Sequence, residues 1–90
     1  MLVLPPELTH AQAGACLQLL LQALQAETGS QVVVDGSALA TFDSSALAVL
    51  LECRRTALYG DRGLVVKALP ASLAQLAQLY GVHELLPAVD

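Results

Sequence analysis

Short apolar runs and longer helix-periodic runs alternate along this chain. Met1-Leu2-Val3-Leu4 is apolar and is stopped by Pro5-Pro6, which predicts a strand at about 2–4. Thr9 stands three residues before Gln12, a capping-box spacing, and Leu17, Leu20, Leu21 and Leu24 follow at helical intervals. That predicts a helix over about 9–27, closed by Gly29. Gln31-Val32-Val33-Val34-Asp35 is β-branched and too short for a helix, so it reads as a buried central strand. After a loop over 36–42, a helix is expected from about Ser44 to Tyr59, ended by Gly60 and Gly63. Leu64-Val65-Val66-Lys67 reads as a third strand. Pro70 opens a last helix over about 70–80, with Leu73, Leu76 and Leu79 on its apolar face and Gly81 at its end. His83 to Leu86 reads as a final short turn.

Strands alternating with helices across short connections predict an α/β fold with a mostly parallel central sheet and helices packed on it. The expected core is Leu17, Leu20, Leu24, Val33, Leu47, Leu50, Val65, Leu73 and Leu76. Ninety residues suit a single domain, 1–90. A small sheet leaves open edges, and an open edge invites pairing. The isolated chain is therefore expected to form a homodimer or to swap strands through residues 1–8.

Composition sharpens this picture in three places. Hydrophobic residues make up 56% of the chain but only three are aromatic, so Leu, Val and Ala must build the core. The mean hydropathy of +0.62 raises the question of a membrane span. No uninterrupted apolar stretch reaches the roughly 18 residues that a span needs, since Gln12, Gln18, Gln22 and Gln25 break the longest run. A net charge of −4, with only Arg54, Arg55, Arg62 and Lys67 basic, argues against a nucleic-acid binder. The N-terminus lacks the charged region of a signal peptide, and Cys16 and Cys53 lie in helix-like apolar runs. They read as reduced core residues, and the chain as cytoplasmic.

Candidate chemistry is sparse. His10 and His83 lie near opposite ends of the chain, with no paired ligand spacing. Gly60-Asp61-Arg62-Gly63 lacks the lysine and spacing of a phosphate-binding loop. Asp35 and Asp43 fall at the C-terminal side of the central strand, where α/β folds bind ligands, but no nucleophile or base accompanies them. The chain reads as a non-enzyme without cofactor or metal.

One junction stands out. In "TFDSSALAVLLECRR", Thr41 to Arg55, Asp43-Ser44-Ser45 opens the second helix. A hydroxyl there can simply cap backbone N–H groups. On a helical wheel, however, Ser44, Ala48, Leu51 and Arg55 form one line. Leu47, Leu50, Ala57 and Leu58 face the sheet, with Cys53 at their edge. The Ser44 line is then a rim of small and mixed residues suited to a protein partner, with Glu52 on another face.

The element order and this junction resemble the STAS domain family. Its motif is an apolar strand, a loop, then Asp-Ser/Thr-Ser/Gly-Gly-Leu opening a helix. Here it reads Val32-Val33-Val34-Asp35, then Phe42-Asp43-Ser44-Ser45-Ala46-Leu47, with Ala46 in place of the glycine. Leu2-Val3-Leu4-Pro5-Pro6-Glu7-Leu8 and Leu76-Ala77-Gln78-Leu79-Tyr80-Gly81-Val82 are similar to the start and end of MlaB-like members. That resemblance implies a non-catalytic subunit that binds the ATPase of an Mla-type phospholipid-transport ABC transporter, peripheral to the inner membrane through the complex. The antagonist branch of the family implies instead an anti-sigma factor antagonist. There an anti-sigma factor kinase phosphorylates the residue matching Ser44. Either way the expected partner-binding residues are Asp43, Ser44, Ser45, Ala48, Leu51 and Arg55, with Ser44 a possible phosphosite. A third reading is a purely structural or dimerising domain in which Ser44 only caps.

Overall fold

The structure, a computed structural model, describes residues 1–89. Its elements are β1 (Leu2–Val3), β2 (Glu7–Leu8), α1 (His10–Ala26), β3 (Gln31–Asp35), β4 (Thr41–Phe42), α2 (Ser45–Tyr59), β5 (Gly63–Lys67) and α3 (Ala71–Leu79), followed by a 3-10 turn at His83–Leu85. β1, β3 and β5 form a parallel sheet with β3 in the middle, as the valine run predicts. The C-terminal segment runs along the far side of β5: the Val66 N–H donates to the Pro87 carbonyl and the Val89 N–H to the Val66 carbonyl. That segment covers the β5 edge and leaves the β1 edge open. Among the described residues, no helix is long and apolar enough to cross a membrane.

The buried side chains of all three helices form one cluster with Leu2, Leu4, Val32, Val34, Leu64 and Val66. Successive strand residues point to opposite faces. The helices therefore cover a single face of the sheet, and Val3, Val33 and Val65 point the other way. This corrects the expected core. Val33 is half-buried and Val65, although buried, is not part of that cluster. Val32 and Val34 take the inward positions. Leu17 and Leu76 are likewise half-buried and pack at the cluster's margin. Leu20, Leu24, Leu47, Leu50 and Leu73 are buried as expected, and Leu2, Leu4 and Leu8 join them. Cys16 and Cys53 are buried free thiols, and desolvation raises the Cys53 pKa to about 11, which makes it unreactive at neutral pH.

The helix ends follow local chemistry. The Thr9 N–H donates to Gln12 Oε1 at 2.7 Å, closing the expected capping box of α1. Gly81 adopts a φ of +73° just past α3, the left-handed stop that glycine favours. After α2 the left-handed residue is Asp61, at φ +56°, and not either of the flanking glycines. Gly36 matters for a different reason, close approach. A methyl there would meet Leu69 Cδ2 at 2.8 Å and Leu69 Cα at 3.3 Å. Gly36→Ala is expected to cost about 1–2 kcal/mol in chemical unfolding, since the leucine tip can shift but its backbone cannot. An unchanged midpoint would show that the β5–α3 connection yields freely.

Candidate docking surface

The short parallel pair β2–β4 was not legible in the sequence, where 36–42 reads as a loop, and it sets up the site. The Ala40 and Thr41 N–H groups both donate to the Pro6 carbonyl, at 2.8 and 3.0 Å, and Leu8 pairs in register with Phe42. β2 runs directly into α1 and β4 into α2, so the two helices start side by side.

Asp43 sits at that meeting point. Its Oδ1 accepts from the Ser45 N–H at 2.8 Å, and its Oδ2 accepts from the His10 N–H at 3.1 Å. One carboxylate thus caps two helices, and it reaches one of them, at His10, from 33 residues further along the chain. Those bonds, Ser45 first and His10 next, hold the Asp43 carboxyl below its ordinary pKa. Asp35, at the end of β3, is lowered in the same direction, mainly by the Ser37 N–H, to which its Oδ1 is bonded at 2.9 Å.

Because Asp43 does the capping, Ser44 does not. Its side chain makes no capping hydrogen bond and lies exposed. The reading of Ser44 as a cap is therefore overturned, and its hydroxyl is uncommitted at the head of α2. Ser45 is half-buried behind it.

Beyond Ser44 the outer face of α2 carries exposed Ala48, half-buried Leu51 and exposed Arg55, the expected line. Ala48, Leu51 and Arg55 line an open groove of about 520 Å³, together with Glu52, Arg54, Leu58, Tyr59 and Leu85. Asp43 and Ser44 lie outside the groove's lining, at the N-terminal head of the same helix. Ser45, Ala48 and Glu52 line a smaller groove of about 280 Å³ against His10, Ala13 and Leu17 of α1.

Two expectations change here. Leu58 does not face the sheet: it is 48% exposed, beside a Tyr59 that is 82% exposed. Continuing the Ser44 spacing three residues past Arg55 reaches Leu58, a signal that was present in the sequence. Glu52 is not remote from the rim either, because its Oε2 accepts from Arg55 Nη2 at 2.9 Å. Leu85 comes from the turn after α3, and no local pattern could have placed it there.

The family model described as Mlab, STAS domain matches residues 1–87. The chain belongs to the STAS domain family. No curated protein matches it. STAS domains serve as protein-interaction or regulatory modules, and the observed two-layer α/β architecture is consistent with that fold. In this STAS domain, the junction that carries the family motif is also where β2–β4 and Asp43 bring two helix starts together.

Proposed function

We propose that this STAS domain is a non-catalytic subunit that docks on the ATPase of an Mla-type phospholipid-transport ABC transporter and stabilises or regulates it. Its place would be the cytoplasmic side of the inner membrane, held there by the complex, in a system that maintains outer-membrane lipid asymmetry. The observation that carries this reading is the outer face of α2. An uncommitted Ser44 heads a helix that presents exposed Ala48, Leu58 and Tyr59 with Arg54 and Arg55 alongside. A large aromatic that is mostly exposed beside an apolar groove is a frequent anchor of a protein interface, flanked here by cationic side chains. The Mlab description of the matching family model favours the transporter ATPase as partner.

Co-purification with the ATPase of such a transporter from the same cell tests the reading. Tyr59→Ala is expected to weaken binding about tenfold, as loss of an aromatic anchor does. Arg55→Glu should weaken it less, since a solvent-exposed charge at a rim mainly affects the rate of association. Wild-type protein that leaves the ATPase unbound would sink the proposal. The exposed Ser44 hydroxyl supports a second reading, an anti-sigma factor antagonist switched by phosphorylation at Ser44, and capture of an anti-sigma factor kinase would favour it.

A further inference from the structure

We infer that the groove on the outer face of α2 takes an amphipathic helix of the partner ATPase, and that this helix presents a carboxylate to Arg54. The inference rests on the ATPase reading of the same surface and adds the chemistry of the segment that fills it. The chain as a whole carries eight acidic residues against four basic ones. The groove reverses that balance, since Arg54 and Arg55 stand in its lining against Glu52 alone. Arg55 is already matched, through its 2.9 Å bond to Glu52. Arg54 is half-buried and forms no ion pair among the described residues. A guanidinium presents its donors in a planar fork that matches a carboxylate with two parallel bonds. The partner therefore supplies the acid that the chain does not.

The shape of the groove selects a helix. Along α2 it runs from Ala48 through Leu51 to Leu58, about 15 Å at the helical rise, which a partner helix of about ten residues spans. By helical spacing, Leu51, Arg54 and Leu58 fall on its side away from α1, and Glu52 and Tyr59 on the other. Leu85 adds apolar surface from the turn after α3. Leu58 and Leu85 stay 48% and 38% exposed within the chain, and a partner's apolar ridge removes that surface from water. Recognition of a helix in a groove uses apolar residues at i, i+3 or i+4, and i+7. Such a ridge seats against Leu58, Leu85 and the Tyr59 ring, and an acidic residue on its flank meets Arg54. An extended segment would need free backbone donors and acceptors, and those of α2 are spent within the helix.

The test is a binding titration of the purified transporter ATPase with wild type and two Arg54 variants, each checked for folding by a thermal melt. Arg54→Glu reverses the charge and should weaken binding about tenfold or more. Arg54→Lys keeps the charge but loses the fork, and should weaken it only about threefold. Should Arg54→Glu fail to fold, Arg54→Gln gives the same comparison. The complex of the Arg54→Lys variant is then treated with a carbodiimide, which condenses an amine with a carboxylate in contact with it. Mass spectrometry should map the bond from position 54 to an Asp or Glu of the ATPase that has apolar residues three or four positions to either side. An ATPase that wild type does not bind sinks the functional reading and this inference together. An ATPase that binds wild type and both variants alike overturns this inference alone. So does a complex that yields no bond from position 54, or a joined carboxylate that lacks the apolar spacing.

Discussion

Ser44→Glu is expected to abolish binding of the transporter ATPase while leaving the domain folded. The side chain is exposed and makes no capping bond, so its replacement removes nothing that the fold uses. A carboxylate near a helix N-terminus is favourable to the helix dipole, although here it meets the Asp43 carboxylate next to it. In a complex the same charge is buried without a counter-ion, a cost typically of about 3–5 kcal/mol and enough to weaken binding by two orders of magnitude or more. Ser44→Ala is the control. Were Ser44 a cap, alanine would cost about 1 kcal/mol, but the structure reduces that expectation to within about 0.5 kcal/mol. Thermal melts and co-purification, run on the same variants, separate the two effects. Full ATPase binding by the Ser44→Glu protein would remove Ser44 from the docking surface.

Asp43→Ala should produce the largest loss of stability from any single change at the exposed site. It removes the acceptors for two N–H groups, on Ser45 and His10, and so uncaps α2 and unpins α1 from it. The expected fall in Tm is about 8 °C, a cap loss plus a lost bridging bond in a domain of this size. Asp43→Asn keeps one carbonyl oxygen, which can cap α2, and places an NH2 where His10 needs an acceptor. Its melting point should fall about halfway between wild type and Asp43→Ala.

The acid limb of the melting curve gives an independent check. The folded state lowers the Asp43 pKa below its ordinary value of 3.8. Its contribution to stability is therefore fully present above the unfolded pKa and is lost as pH falls through the folded one. The gap in Tm between wild type and Asp43→Ala should close as the pH drops below that range. A gap that stays constant with pH would mean that the Asp43 bonds do not depend on its charge.

The local features of this chain were legible in its sequence, and the non-local ones were not. The alternation of β1, β3 and β5 with three helices, the Thr9–Gln12 capping box, the spans of those helices and the central place of β3 follow from periodicity and turn residues that neighbours a few positions apart can specify. The rim Ala48, Leu51 and Arg55 was legible for the same reason, since helical spacing alone puts those residues on one face. Four decisions needed the folded chain. A run of three valines looks the same from either side, so only the placement of all the helices on one face of the sheet could turn Val32 and Val34 inward and Val33 outward. β2 and β4 are two-residue strands, too short for any periodicity to reveal, and exist because each supplies the other's partner. Asp43, Ser44 and Ser45 are all competent caps, and the choice of Asp43 rests partly on the His10 N–H, which the chain brings there from 33 residues away. Leu85 completes the α2 groove from the turn after α3, a contact between segments that share no local pattern. Sequence near a residue determines the conformations open to it, whereas the surface it meets depends on segments that only folding brings together.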